Sequence, residues 1–534
     1  MNNQKSKVWT ISAATVFVVV VLATAGLLVK VAGLNMLPMK YLGLAIFTVV
    51  FLLLLIFAFF FLLPIKRKTT EDAAEEQSVK KPVAKYVLRS IAMILAIAMV
   101  VVDVAGIQMV NKFQETLAKL EEVEEEEVVE QESEVVKLEE YDFGIFVLAD
   151  DRAENLDDVK RYDLGYSLAY DRNNTKMAIN VAENELSQKL KFEEFNDIFE
   201  MVDMTLSGVK DGFFLSTAYL DILADQEGYE DIANKIKCVY ECTVTIETNV
   251  PVVEEVPFDI TKDTFIVYLS GHDTTFAATR ANSDVNILAV VNPTTKQVLL
   301  INSPRDSYIE ISVSPDGEMD KLTHCGTYGV ECSMETLGEL YDIDVNYYAQ
   351  LNFTGFIRLV DALGGIQVYS EKEFVSTSMH IPIQKGVNHL DGTAALEFVR
   401  ERKQFSGGDR MRGQHQMAVI KGIIGQMSSS NLLRNYNEIL DSMGKYFKWN
   451  FSQEEVSALI RMQLSDMAEW NVQMYAINGT GDSKKTYSLP NLSTYVMIID
   501  PATVDHAKTL IDMVYDGEII EDEDLVLPEV TENN

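Results

Sequence analysis

At 534 residues the chain is too long for one compact core and has room for two or three units beyond any membrane part. Its 45 basic and 81 acidic residues leave a formal net charge of -36, which repels nucleic acid, and no basic domain or recognition helix offsets that charge. A nucleic-acid-binding regulator is therefore excluded.

Three apolar stretches, Val8 to Leu28, Tyr41 to Leu63 and Val87 to Val110, open the chain. Each approaches the roughly 20 residues that a helix needs to cross hydrocarbon, so residues 1–111 are expected to hold three transmembrane helices. No small-residue cleavage site precedes a soluble region after the first stretch, which argues against a removed signal peptide. Lys5 and Lys7 precede the first stretch, and Lys66, Arg67, Lys68, Lys80, Lys81, Lys85 and Arg89 crowd the loop between the second and third. That bias places the N-terminus in the cytoplasm and, after an odd number of spans, the rest of the chain outside a cell membrane.

Residues 112–140 are strongly acidic, with Glu124 to Glu127 in a row, and read as a stalk helix with a solvated face. From 141 to 250, β-like runs such as Phe143 to Leu148 and Met177 to Ile179 alternate with amphipathic stretches such as Glu193 to Met204. The expectation is a small α/β accessory domain without a glycine-rich phosphate loop. The four cysteines are Cys238, Cys242, Cys325 and Cys332. If the first two share a strand they stand about 13 Å apart, too far to bridge, and buried free thiols are the expected state. Nothing in the His and Cys spacing suggests zinc.

After a Pro- and Val-containing linker, Asn249 to Pro257, the runs Phe265 to Leu269, Val285 to Val291 and Val298 to Ile301 have the β propensity of neighbouring strands. Helical periodicity follows in Glu335 to Tyr341, Phe353 to Leu363 (closed by Gly364 and Gly365), Gly392 to Arg402 and Met411 to Met427. Residues 258–516 thus read as an α/β domain with a central sheet flanked by helices. Residues 517–534 read as an acidic, disordered tail.

Within this domain, acids and arginines cluster at the ends of apolar runs: Asp273 past the first strand, Asp284 before the second, and Arg305 and Asp306 after the third. Strand-end loops on one edge of a sheet bring such residues together. Two carboxylates with phosphate oxygens suit Mg²⁺ or Mn²⁺, while Arg400, Arg402, Arg410 and Arg412 offer planar forks for phosphate. Arg412 and Gln416 lie one helical turn apart. Singly, each is more often a surface ion-pair residue than a ligand; jointly they form a metal and phosphate set. Outside a membrane there is no nucleotide pool, so the phosphate should arrive on a lipid. Ser270, Ser283 and Ser303 lack a nucleophile elbow, and neither His272 nor His324 is supported as a partner.

The runs "VYLSGHDT", "SDVNILAVVNPTTKQVLLINSPRDSYIEI", "HLDGTAALEFVRERK" and "GDRMRGQHQ" closely resemble the LytR-CpsA-Psr family, in particular its streptococcal CpsA-like capsule branch. The resemblance is strong over Thr264 to Met427 and continues weakly to Asp516. It implies a metal-dependent phosphotransferase that moves a glycopolymer such as capsular polysaccharide from undecaprenyl-pyrophosphate to peptidoglycan, with capsule-synthesis proteins as further partners. By motif position, Asp273 and Asp284 would hold the metal, one of them activating the acceptor hydroxyl. Arg305, Arg400, Arg402 and Arg412 would clamp phosphate, with Gln416 nearby and Lys321 reaching the head group. Asp306 would orient an arginine or assist the metal. Where the family has Arg immediately before "SD", this chain has Asn282, and Arg280 is the candidate substitute. For the polyprenyl tail, Phe353, Phe356, Ile357, Val360, Leu363, Leu396 and Val399 are candidate lining, although most would serve as core in any case. Two alternatives share the same site: a polyprenyl-phosphate-binding regulator of capsule synthesis, and a lipid-pyrophosphate hydrolase.

Overall fold

The computed structural model describes residues 2–34, 36–62, 83–121, 134–168, 172–224, 226, 228–251, 258–272, 281–314, 317–401, 404–405, 409–428 and 447–527. Contacts divide the chain into two units, Met1–Lys119 with Ser452–Met467, and Leu120–Phe451 with Ala468–Asn534.

In the first unit, α1 (Asn2–Gly33), α2 (Met39–Phe57, closed by a π turn over Ala58–Leu62) and α3 (Val83–Glu121) supply three helices long and apolar enough to cross a membrane, over Ile11–Gly33, Met39–Leu62 and Val87–Lys112. Leu22, Phe47, Leu54, Ile94 and Val101 point outward, as lipid-facing side chains do. Ala13, Ala92 and Ala96 are buried beside Val20, Ile56 and Phe60, small residues letting the helices approach closely. Among the described residues two side-chain hydrogen bonds link α1 to α3: Thr24 Oγ1 donates to Asp103 Oδ2 at 2.5 Å, both residues buried, and Lys30 Nζ donates to Asn111 Oδ1 at 2.6 Å nearer the helix ends.

The second unit begins with the accessory domain: β1 (Glu134–Leu148), β2 (Asp163–Ser167), α4 (Arg172–Leu186), β3 (Lys191–Phe195), α5 (Ile198–Leu206), β4 (Gly212–Ser216), α6 (Tyr219–Ala224), α7 (Ile232–Lys235) and β5 (Ile236–Pro251). The sheet order is β3-β2-β4-β1-β5, with β1 antiparallel to both neighbours and β2 parallel to both of its own. Both faces are buried, Phe143 stacking on Phe214 and Phe146 on Phe213, which explains the unbroken apolar runs in these strands. β1 starts at Glu134, inside the acidic segment expected to be stalk helix; α3 covers the described part of that segment up to Glu121, and residues 122–133 lie outside the described residues. Met177 to Ile179, expected as a strand, lies in the middle of α4. Ala178 and Ala182 are buried one turn apart, a helical spacing that a three-residue apolar run conceals. The stretch Glu193 to Met204 divides into β3 and α5 at Asp197, whose carboxylate caps the helix by accepting from Phe199 N at 2.7 Å.

In the remaining domain, β6 (Phe265–His272), β7 (Val285–Asn292) and β8 (Gln297–Asn302) form an antiparallel meander, followed by β9 (Ser307–Glu310), β10 (Met319–Lys321), α8 (Leu322–Tyr328), α9 (Val330–Tyr341), β11 (Tyr347–Asn352) and α10 (Phe353–Ala362). Next come β12 (Ile366–Ser370), β13 (Phe374–Val375), β14 (Pro382–Ile383), β15 (Gly386–Leu390), α11 (Gly392–Arg400), α12 (Asp409–Met427) and β16 (Phe447–Trp449). Helix α13 (Gln453–Asp466), which belongs to the first unit, intervenes before β17 (Asn471–Ala476), β18 (Gly479–Lys485), β19 (Ser493–Ile499) and α14 (Pro501–Tyr515). The main sheet has the order β16-β11-β6-β7-β8-β17, and a second sheet runs β10-β9-β19-β18. One core joins the main sheet to α8, α9 and α14; another gathers α10, α11, α12 and the β12–β15 hairpin.

Residues 517–527 depart from the disordered tail expected over 517–534, the rest of which lies outside the described residues. Ile520 is fully buried in the main core, its amide donating to Gln297 Oε1 at 2.8 Å and its carbonyl accepting from Gln473 Nε2 at 3.2 Å. One apolar anchor amid seven nearby acids is invisible to a compositional reading. Cys238 and Cys242 share β5 and all four cysteines are free. Burial pushes the Cys238 thiol up to about 12, that of Cys242 to about 11, and that of Cys325 above its usual range. The hydrogen bond with Cys325 lowers the Cys332 thiol instead, but that side chain is 2% exposed, so intact-mass measurement after maleimide treatment at neutral pH should find the folded protein unlabelled and the guanidinium-unfolded chain labelled at four sites.

Candidate functional site

The meander ends and the first turn of α8 meet at one edge of the main sheet. Asp284, whose amide donates to the Gly271 carbonyl at 2.9 Å, precedes β7; Arg305 and Asp306 follow β8; Lys321 ends β10. Arg305 Nη1 donates to Asp284 Oδ1 at 2.6 Å, and its Nε stands 3.9 Å from Asp306 Oδ2. Lys321 Nζ lies 3.1 Å from Asp306 Oδ1. Across from these, Arg412 in the first turn of α12 donates from Nη2 to the Asp284 carbonyl at 3.1 Å and comes within 3.8 Å of its carboxylate. Within this group of five side chains two carboxylates face three cations, an arrangement chemically suited to a multiply charged anion.

Close backbone approach sets this geometry. A Cβ on Gly413 would fall 2.2 Å from Nδ2 of the buried Asn302 side chain, so with glycine at 413 helix α12 packs on the end of β8 beside Arg412 without displacing that carboxamide. A Cβ on Gly326 would fall 2.2 Å from the Ala281 carbonyl and 2.9 Å from Ser283 N. Helix α8 thus seats residues 281–283 directly on its backbone: Ser283 N donates to the Thr323 carbonyl at 3.0 Å, Thr327 Oγ1 donates to Asn282 Oδ1 at 3.1 Å, and Thr323 N donates to the Arg305 carbonyl at 2.9 Å. Asn282, standing where the family resemblance expects arginine, is 8% exposed and is held by α8.

Gln416 lies one turn beyond Arg412 on α12 and is buried. Arg400, at the end of α11, places its guanidinium 5.0 Å over the Phe353 ring. Arg410 is in the first turn of α12, its side chain outside the described residues; Asp273, Arg280 and Arg402 lie outside them altogether. The three serines weighed as nucleophiles are buried staples. Ser270 and Ser283 hydroxyls are 2.8 Å apart, Ser283 also bonds Tyr268, and Ser303 bonds Tyr341 at 2.8 Å.

Among the described residues no group of three potential metal ligands assembles. Asp284 offers a hard carboxylate at the partly exposed edge of the cluster, which suits an ion that takes few protein ligands and completes its shell with phosphate and water. Sequence reasoning weighed His272, which precedes Asp273 and ends β6, only as a partner for a serine, and passed over Asp320, the neighbour of Lys321. Both sit beside motif residues, the one signal that could have marked them. The Nδ1 of His272 is buried without a hydrogen-bond partner among the described residues. Burial, then the Lys448 charge, press its pKa down to about 4 against the opposing pull of Asp284.

Along α12, a cleft of about 880 Å³ opens between the helix, β12, β15 and β17, with Met411, Met417, Ala418, Val387 and Met474 in its lining. Most candidates for tail contact lie elsewhere: Val360 and Leu363 are in the second core, with Phe356 and Val399 packed against it.

An α/β domain with cations and carboxylates gathered at a sheet edge, in a chain with a three-helix apolar bundle, is the class of molecule described so far. The LytR_cpsA_psr family model matches residues 233–498, and the chain belongs to that family. It is 36% identical over 213 residues to the polyisoprenyl-teichoic acid-peptidoglycan teichoic acid transferase TagT of Bacillus subtilis (strain 168), covering 38% of this chain and 65% of that protein. With the corresponding transferase TagU of Bacillus cereus (strain AH820) it shares 31% identity over 229 residues, 43% of this chain and 73% of that one. Similar solved structures include TagT bound to LI-WTA, at 28% identity and a TM-score of 0.40 over 51% of this chain and 94% of that chain. Another is B. subtilis TagV, at 22% and 0.41 over 48% and 98%.

His415 is enclosed by Phe374, Phe398 and Phe405, and burial presses its pKa to about 4 as well. For both His272 and His415 the unfolded chain binds the proton more readily, so stability is complete above about pH 6.5 and declines as pH falls toward 4, by up to about 3 kcal/mol for each. Chemical denaturation across that window should show the decline, and His415→Gln should flatten it. Gly326→Ala should cost at least about 2 kcal/mol in the same measurement, since backbone rather than a flexible side chain occupies the space.

Proposed function

We propose that the protein is a membrane-anchored phosphotransferase that moves a glycopolymer, such as capsular polysaccharide, from undecaprenyl-pyrophosphate to a peptidoglycan hydroxyl on the outer side of the membrane. The observation that carries this reading is the cluster of Asp284, Arg305, Asp306, Lys321 and Arg412, with its excess of positive charge. Support comes also from family membership, from relatives named as transferases that join polyisoprenyl-linked teichoic acid to peptidoglycan, and from the three apolar helices. The charge bias of the loops supports an N-terminus inside and the second unit outside.

In this reading Arg305, Arg412 and Lys321 hold the pyrophosphate oxygens, with Arg400, Arg402, Arg410, Gln416 and Arg280 as further contacts. Asp306 keeps Arg305 and Lys321 aimed at the anion. Asp284 and Asp273 would hold Mg²⁺ or Mn²⁺, which when bound neutralises phosphate charge. The acceptor hydroxyl oxygen forms a bond to the phosphorus that carries the polymer, while the bond from that phosphorus to the bridging oxygen breaks. The hydroxyl proton passes to Asp273 or Asp284, and the lipid leaves as its monophosphate. The apolar part of the cleft along α12 suits the polyprenyl tail.

The test is transfer of a lipid-linked polysaccharide to peptidoglycan by the full chain in detergent or lipid, with Mg²⁺ or Mn²⁺ supplied. Arg305→Ala and Asp284→Ala should each reduce transfer by about 100-fold or more, and chelation should abolish it. Wild-type transfer by either variant would remove the site assignment. Release of free polymer without an acceptor adduct would instead favour hydrolysis, and capsule attachment that survives both substitutions in cells would favour a binding regulator.

A further inference from the structure

The carboxylate of Asp320 is completely buried and lies between the phosphate cluster and the accessory domain. Its Oδ1 accepts from Lys321 N at 2.7 Å and from His324 Nδ1 at 2.6 Å, pinning the first turn of α8. Its Oδ2 accepts from the amide of Ser488 at 2.8 Å and from the Ser488 hydroxyl. That hydroxyl in turn is 2.9 Å from the Tyr328 hydroxyl at the other end of α8. Beyond Tyr328 stands Tyr219 of the accessory helix α6, whose hydroxyl interacts with it. The Ser488 segment, which joins β18 to β19, also carries Leu489, 1% exposed, into the accessory core beside Tyr219, Leu220 and Leu223. Asn491 reaches the Asn196 carbonyl of the same domain at 3.5 Å.

The opposite side of α8 holds the site. Thr323, Gly326 and Thr327 fix Arg305, Ala281, Asn282 and Ser283 by the backbone contacts already given, and Lys321 enters the cluster from the turn that Asp320 holds. One seven-residue helix, buried from Leu322 to Thr327, therefore has contacts leading to the accessory domain on one side and the charged cluster on the other. Low-dielectric burial makes this polar chain rigid: each hydroxyl or carboxylate oxygen that loses its partner is left unsatisfied.

We infer that the accessory domain is a built-in positioning module, which through Tyr219, Ser488, Asp320 and α8 sets the placement of Lys321, Arg305 and residues 281–283. Asp320 is the positioning residue at its centre. The consequence for ligand affinity rests on the reading of Lys321 and Arg305 as pyrophosphate contacts; the mechanical coupling does not.

The experiment uses the full chain in lipid nanodiscs with Tyr219→Phe and Ser488→Ala, which remove single hydroxyls and leave the apolar contacts in place. Hydrogen exchange should be about fivefold faster at the amides of Ser283 and Thr323 in either variant, matching the loss of one buried hydrogen bond. Geranylgeranyl pyrophosphate should bind Tyr219→Phe about fivefold more weakly, and this loss should disappear when Lys321→Met is already present, because the two act through one group. Val209→Ser, on the exposed accessory surface, should change neither reading. Unchanged exchange at Ser283 and Thr323 in both hydroxyl variants would overturn the coupling, as would losses from Tyr219→Phe and Lys321→Met that simply add. If the wild-type chain binds no pyrophosphate while exchange still responds to Tyr219→Phe, the coupling stands and the pyrophosphate reading falls.

Discussion

The contact of Arg305 with Asp284 ties the exit of one strand to the start of its neighbour, and most of the site is arranged around it. A guanidinium held at a partly buried sheet edge needs a fixed counter-charge, or its desolvation goes uncompensated. Asp284 supplies that charge on one side and Asp306 on the other, and the same two acids bring Arg412 and Lys321 into range. The acids do not cancel the cations. They space them, which leaves fixed donors along one edge of the sheet with little reorganisation left to make.

Such spacing demands a backbone that cannot drift, and the fold provides it with small residues and buried hydroxyls rather than with bulk. Gly326 admits a backbone carbonyl and amide to distances that any side chain would block, and Gly413 leaves room for the buried Asn302 carboxamide. Ser270, Ser283 and Ser303, which look like candidate nucleophiles in isolation, link Tyr268 and Tyr341 to strand ends. The same logic accounts for Asn282. With its carboxamide oxygen taken by Thr327, it stabilises the ledge under the site, whereas the family motif would place a cation there.

Polar groups in the membrane bundle are used as sparingly. Asp103 is buried and accepts from Thr24, so the hydroxyl satisfies part of what hydrocarbon could not. That contact links α1 to α3, the helix leading toward the accessory domain in sequence. Entry to and exit from that domain both run along the β1–β5 ribbon, which pairs from Glu134 opposite Pro251 to Leu148 opposite Ile236.

Hydrophobic length and period alone determined the three apolar helices, the β6–β8 meander and helices α9 to α12, because burial on a sheet face or in lipid leaves its mark on every residue of a segment. Motif order likewise identified the family and drew in Lys321, while the ends of apolar runs had already grouped Asp284, Arg305, Asp306 and Arg412; the fold brings these five side chains together. What only the tertiary structure decided are contacts made by single residues across long stretches of chain. Ile520 anchors a segment that its charge marks as disordered, Met177 to Ile179 turns helical through the alanines around it, and Leu489 joins two domains. Asp320 is the clearest case. Its partner Ser488 lies 168 residues away, and a hydrogen bond between such positions imposes no periodicity that a linear reading could detect.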